Sequence, residues 1–200
     1  MLLSDADQRA LTLYTVGHID LPIEAFHALL MRHNVQVLLD VRSAPYSKFV
    51  SHFNKALLEA YLIANGVEYR YAGQFLGGRP PDPTVYKGEQ LPDPDLAREK
   101  YLNVVQYDEI MKRDWYQRGI ARLIDIVREQ AARGAFVAVM CSEGDPRECH
   151  RHHLIARSLI DPTVRVTDSA LQIVHLLKDG ESEVVDPTEF VELPKQMRLL

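Results

Sequence analysis

The chain alternates between short runs rich in β-forming residues and longer runs whose apolar positions recur at helical spacing. Leu11 to Gly17 leads into Pro22 to His33, Val35 to Val41 into Asn54 to Asn65, and Ala135 to Met140 into Pro146 to Ile160. Each pair predicts a strand feeding a helix, and the alternation predicts an α/β layer architecture. Phe136 to Met140 (FVAVM) and Val37 to Val41 (VLLDV) are almost continuously apolar, as strands covered by helices on both faces must be. Parallel pairing is the expectation. Helix punctuation agrees: Asp20 and Pro22 open the first helix, Asn54 opens the second, and Gly66 ends it. A further stripe of Ile120, Leu123, Ile124, Val127 and Ala131 stops at Gly134. After Val164 to Asp168, the run QIVHLLKDGESEVV sets Asp179 and Gly180 as a turn between two short strands, expected to extend the sheet antiparallel at its edge or to form a small flap.

No repeat or low-complexity tract interrupts this pattern, so the expected fold is a single three-layer, Rossmann-like α/β domain with a mainly parallel sheet and a C-terminal hairpin extension. It would span residues 11–186, between an N-terminal extension (1–10) and a C-terminal tail (187–200). Five of the eleven prolines fall between Arg79 and Pro94, which predicts an exposed excursion across the mouth of the sheet and a candidate lid.

Composition narrows the function classes. A length of 200 residues with 46% hydrophobic content suffices for one core. The 23 basic and 28 acidic residues give a net charge of -5, so no global field draws this chain to nucleic acid or an anionic membrane, and a polyanion would need a local patch. No apolar run reaches the ~18 residues of a spanning helix, and the start lacks a basic segment followed by an apolar one. The expectation is a cytoplasmic protein, without membrane contact, whose two cysteines stay as thiols.

In open parallel sheets ligands bind outside the carboxyl ends of the strands. The first strand ends in Gly17 and His18, the second in Asp40, Val41 and Arg42, and the Ala135 strand in Met140, Cys141, Ser142 and Glu143. That is a richer set of ionisable groups than chance exits from a core supply. For Asp40 and Arg42 an internal ion pair is the plain reading and substrate clamping by Arg42 the sharper one.

The densest segment runs from Cys141 to Arg151. Asp145, Pro146 and Glu148 form a capping box, which predicts a helix whose free amides and dipole face back toward Cys141, lower its thiol pKa and receive anions. Cys149 would lie one turn inside that helix as a small buried residue. Three readings compete for the thiols. Cys141 and Arg147 have the Cys-x5-Arg spacing of thiol phosphatases, against which Glu143 and Asp145 would repel phosphate. A metal would recruit Cys141, Cys149, His150 and His152 or His153, but Cys-x7-Cys-His is not a standard zinc spacing and adjacent ligands strain tetrahedral closure. Purely structural thiols are the third reading, and no metal ligand or cofactor is assigned. His150, Arg151, His152 and His153 read as a solvated helix face unless a local anion offsets the dipole. His175 reads as a packed histidine, and Trp115, Tyr101, Tyr107 and Tyr116 as core or interface. Gly73 to Gly78 (GQFLGG) fits no nucleotide fingerprint.

TVGHI at Thr15 to Ile19, LLDVRSAPYS at Leu38 to Ser47, the segment Phe53 to Tyr71 followed by LGGRP at Leu76 to Pro80, and Cys141-x-Glu-x-x-Pro-x-x-Cys-His-Arg151 together resemble the DUF488 family, over roughly Leu11 to Asp186. The function of that family is not established. The resemblance implies the fold, the cytoplasmic setting and the site positions His18, Asp40, Arg42, Cys141, Glu143, Pro146, Cys149, His150 and Arg151.

The functional expectation is an enzyme, a hydrolase or transferase, acting on a phosphate-bearing small molecule, nucleotide or nucleic-acid end. Its catalytic groups would be His18, Asp40, Cys141 and Glu143. Arg42, His150, Arg151 and the Ser142 and Gly144 amides would hold the small anionic substrate. A non-catalytic anion or nucleic-acid binding module and a thiol/histidine metal site are the alternatives.

Overall fold

A computed structural model describes residues 11–47, 49–165 and 171–190, apart from the side chains of 98 and 99. The expected extension and most of the expected tail therefore lie outside the described residues, as does the end of the Val164 to Asp168 run. The elements are β1 (Leu11–Gly17), α1 (Ile23–Arg32), β2 (Val35–Asp40), α2 (Lys55–Ala64), β3 (Glu68–Tyr71), α3 (Gly73–Leu76), α4 (Arg98–Leu102), α5 (Tyr107–Met111), α6 (Asp114–Ala131), β4 (Phe136–Cys141), α7 (Arg157–Ile160), β5 (Leu171–Leu176) and β6 (Ser182–Val184). Short 3-10 turns lie at Ser51–Phe53, Pro83–Val85, Pro146–Glu148 and Pro187–Phe190.

Among the described residues the sheet has six strands in the order β3-β2-β4-β1-β5-β6. All neighbours are parallel except β5 and β6, which pair antiparallel as the Asp179–Gly180 turn predicts. In strands, successive side chains point to opposite faces. Val37, Leu39, Val137, Val139 and Cys141 accordingly enter one core, beneath α6 and α7, while Leu38, Ala138 and Met140 enter another, beneath α1 and α2. The helices bury what their periodicity predicts. Phe26, Leu29 and Leu30 of α1, Leu58 and Leu62 of α2, and Ile120, Leu123, Ile124 and Val127 of α6 are all buried. Covering a leucine or phenylalanine in this way contributes about 1.5–3 kcal/mol each. Gly66 and Gly134 end α2 and α6 at φ of 81° and 73°, where a side chain would be strained.

The Arg79 to Pro94 segment is largely exposed, as expected, and is pinned where Val85 and Tyr86 are buried in the core and Tyr86 bridges to Val105. One expectation changes. The helix expected over Pro146 to Ile160 is not continuous. A 3-10 turn at Pro146–Glu148 is followed by Cys149 in extended conformation (φ -133°, ψ 149°), and only then do a π-helical segment (Arg151–Ala156) and α7 run on. Pro146 starts the turn, and Asp145 caps it by accepting the Arg147 amide at 2.8 Å, which closes the local hydrogen bonding within one turn. Among the described residues no helix is long and apolar enough to cross a membrane.

Candidate functional site

Register puts the chemistry at one edge. Gly17 pairs with Cys141 and Asp40 with Met140, so β1, β2 and β4 all release their chains on the same side. Because side chains alternate, the residues delivered there sort into two groups on opposite faces of the sheet.

The first group is Asp40, Arg42 and His18. Asp40 is fully buried and holds Arg42 in a two-pronged pair, with Nε to Oδ1 at 2.9 Å and Nη2 to Oδ2 at 2.6 Å. Tyr69 donates to the same carboxylate at 2.7 Å, and Arg42 also donates to the Phe53 carbonyl at 2.8 Å. Burial works against the Arg42 charge, but the hydrogen bond and charge of Asp40 raise its pKa above the ordinary value. His18 donates Nδ1–H to the Ile19 carbonyl at 2.8 Å, which leaves the Nε2 lone pair to accept from Arg42 Nη1 at 3.2 Å. The ring stacks on Phe53, and burial together with the Arg42 charge pushes its pKa down to about 4. This group is an internal ion pair with a neutral histidine, the plain reading of Asp40 and Arg42. Only Arg42 of the three reaches the pocket wall.

The second group is Cys141, Glu143, Cys149 and His150. Cys141 Sγ donates to Glu143 Oε2 at 3.1 Å. His150 Nδ1 lies 3.5 Å from Cys141 Sγ and 3.6 Å from Cys149 Sγ, and its other nitrogen donates to the Val41 carbonyl at 3.2 Å. Both cysteines are free thiols and buried. The break before the helix makes Cys149, rather than Cys141, the residue at the helix start. Its carbonyl accepts the His152 and His153 amides, and its sulfur accepts the Arg151 amide at 3.5 Å. The expectation that the helix amides act on Cys141 is therefore corrected, as is the placement of Cys149 one turn inside. Burial alone would raise the Cys149 thiol, but its bond with Cys141 and the charges of His150 and Arg151 bring it well below the ordinary value. Cys141 is pushed the other way by its bond with Cys149, by burial and by Glu143. For His150, burial disfavours the charged ring, yet Cys149 and Glu143 raise its pKa.

Arg151 sits behind these residues rather than on the pocket wall. It is fully buried and donates from Nη1 to the Glu143 carbonyl at 2.5 Å and from Nη2 to the Gly144 carbonyl at 2.7 Å, fixing the Ser142–Gly144 loop from within. Arg147 faces away from Cys141. It pairs with Glu183 at 2.5 Å and Glu189 at 3.3 Å, so the thiol-phosphatase spacing has no geometric counterpart. His152 bonds His175 at 3.1 Å and His153 bonds the Arg147 carbonyl, which keeps both away from the thiols.

The second group opens onto a pocket of about 190 Å³. Cys141, Ser142, Glu143, Cys149 and His150 line it, with Arg42 beside them. Ser43, Gly78, Arg79, Tyr101 and Tyr107 also line it, and the sequence did not mark them as site residues. Tyr101 packs in the core and Tyr107 against it, as expected, and both also line the pocket. LGGRP and the proline-rich stretch were the available signal, since that segment carries Arg79 over the Tyr101 ring, 4.2 Å from its centroid. Arg79 is exposed, and its side chain also reaches the Pro94 and Leu96 carbonyls. Gly78 lets this segment close on the cluster, because a Cβ there would stand 2.6 Å from His150 Cγ.

No curated protein and no solved structure matches the chain. The family described as a domain of unknown function, DUF488, matches residues 22–158. That span is shorter than the Leu11 to Asp186 resemblance and leaves His18 and the β5–β6 hairpin outside it, while taking in α1 through the motif from Cys141 to Arg151. The chain belongs to the DUF488 family.

Proposed function

We propose that this protein is an enzyme acting on a small phosphate-bearing or similarly anionic molecule, with the reaction performed at the Cys141–Glu143–Cys149–His150 wall. The observation that carries the reading is the convergence of two thiols, an imidazole and a carboxylate on one small pocket that Arg42 and Arg79 also line. Buried reactive groups with opposed pKa shifts, facing a concave space, are the arrangement expected of a reacting centre rather than of a packed core. Arg79 is the residue placed to receive the anion. Arg42 contributes charge to the wall but is held by Asp40, and Arg151 supports the loop. The amides of Ser142, Glu143 and Gly144 take no protein acceptor among the described residues, so they offer donors to the same anion.

Turnover of a panel of phosphomonoesters and nucleotides, with calorimetry on inorganic phosphate, tests the proposal. Wild type is expected to turn over a member of the panel, and Arg79→Ala to weaken binding with only a small drop in melting temperature, since the side chain is exposed but rests on Tyr101 and bonds the Pro94 and Leu96 carbonyls. Saturable binding without turnover would support a binding module instead. Neither binding nor turnover would remove the reading.

A further inference from the structure

We propose that Cys141 Sγ, Cys149 Sγ and His150 Nδ1 form a binding site for a zinc-type divalent ion, with its fourth position open to the pocket beside Glu143. The ion deepens the functional reading above by supplying the centre at which that pocket's ligand would react, but the site itself stands on separate geometry. The three donor atoms all lie within 4.8 Å of one another. Zinc–sulfur and zinc–nitrogen bonds of about 2.3 and 2.0–2.1 Å at a tetrahedral angle require a sulfur–nitrogen edge of about 3.5–3.6 Å. The two edges observed are 3.5 and 3.6 Å. Hydrogen bonding alone does not demand that one nitrogen be equidistant from two sulfurs, since a lone pair or a single N–H is best satisfied by aiming at one partner.

The local backbone removes the objection that neighbouring residues cannot both ligate. Cys149 is extended and His150 helical (φ -62°, ψ -21°), and this change of direction turns two consecutive side chains toward one point. His150 is also oriented as metal-bound histidines are. Its Nε2–H bonds the Val41 carbonyl, so Nδ1 is the nitrogen presented to the sulfurs. Gly78 backs the ring closely enough to prevent it from swinging out.

Charge and ligand softness point the same way. Two sulfurs with an imidazole suit zinc and disfavour magnesium or calcium. The nearby cations are committed elsewhere, Arg42 to Asp40 and Arg151 to the Glu143 and Gly144 carbonyls. An ion bound here would offset the negative charge of deprotonated thiols beside Glu143. Three protein ligands with one corner toward solvent is the pattern of reactive zinc centres rather than closed structural ones. His152 and His153 do not belong to the set, because each has its own partner away from it.

The test is cobalt substitution of the full chain. Protein kept reduced, stripped with a chelator and titrated with Co(II) is expected to take up about one equivalent, with thiolate-to-metal absorption in the near-ultraviolet and intense tetrahedral visible bands. Zn(II) should displace both signals. Cys149→Ser and His150→Gln should lose or weaken them, and His153→Ala should leave them unchanged. The wild-type titration decides the matter even where a variant fails to fold. No thiolate-to-cobalt absorption and no stoichiometric uptake of Co(II) or Zn(II), with both thiols reduced and titratable, overturns the site. Metal uptake without phosphoester binding or turnover would retain the site and sink the functional reading. Turnover by wild type that binds no metal would do the reverse.

Discussion

The Cα of Gly17 lies so close to the carbonyl of Glu143 that a Cβ built at Gly17 would overlap the carbonyl oxygen and come within 2.9 Å of Arg151 Nη1. The end of β1 is thus part of the site, although it carries no reacting group. The Ser142 carbonyl accepts the Ile19 amide at 3.0 Å, and Arg151 holds the next two carbonyls from behind.

Gly17→Ala should therefore displace the loop and break several of these bonds together. Overpacking a site of this kind costs about 1–3 kcal/mol. The expected outcome is a lower melting temperature with faster reaction of the Cys141 thiol toward a soluble alkylating reagent. An alanine variant with unchanged stability and thiol reactivity would show that the loop yields without consequence.

Arg42 and Asp40 give a prediction of the opposite kind. The sequence allowed Arg42 to be a substrate clamp, yet both prongs of its guanidinium are engaged with a carboxylate that is fully buried. Removing one partner of a buried pair leaves the other uncompensated, at a cost of about 3–5 kcal/mol. Arg42→Met is expected to lose this amount in urea unfolding, and Asp40→Leu combined with Arg42→Met to recover part of it. A stable Arg42→Met that loses only ligand affinity would restore the clamp.

A third prediction concerns Gly78. Alanine there would meet His150 at 2.6 Å from Cγ and 2.9 Å from Nδ1, so the ring must tilt and its bond to Val41 must lengthen. Nitrogen NMR of the labelled imidazole should show Nε2 losing its fixed proton, with ligand affinity at the pocket falling at least tenfold, about 1.4 kcal/mol. An unchanged ring spectrum would mean that the segment after α3 adjusts instead.

The layers were legible in the sequence because burial enforces period. Val37 and Leu39 face one core and Leu38 the other, so the nearly continuous apolar run reports a strand covered on both faces. The strand-end rule likewise located His18, Asp40, Arg42, Cys141 and Glu143 at one edge. Their division between two faces follows the same alternation, His18, Asp40 and Arg42 in step with Val16 and Leu38, and Cys141 in step with Val139. Cys149 was misplaced for a local reason: a capping box reads the same before a single 3-10 turn as before a helix, and the extended Cys149 that ends the turn has no marker of its own. Arg79, Tyr101 and Tyr107 come from a proline-rich stretch without periodicity, so only tertiary packing brings them to the pocket.

His175 provides the pH dependence. It is buried on β5, bonded through Nδ1 to Thr15 Oγ1 at 2.7 Å and through Nε2 to His152 Nδ1 at 3.1 Å. Burial, His152, Arg151 and Arg147 all disfavour a charge there and Glu183 only partly offsets them, so its pKa is pushed down to about 3. In the unfolded chain the same ring takes up a proton below its ordinary value near 6.5. Between these limits the unfolded state binds more protons than the folded one, so stability is fully present above about pH 6.5 and is lost as pH falls toward 3. One such histidine contributes a slope approaching about 1.4 kcal/mol per pH unit well below 6.5. His18 slopes in the same direction, so the contribution of His175 is read as a difference between proteins. His175→Gln keeps a side chain able to bond Thr15 and cannot titrate. Urea unfolding from pH 7 to 5, above the range where most carboxylates protonate, should show wild type losing stability more steeply than His175→Gln. Parallel curves for the two proteins would mean that His175 accepts its proton in the folded state as readily as in the unfolded one, and that the Thr15–His175–His152 chain reorganises to hold the charge.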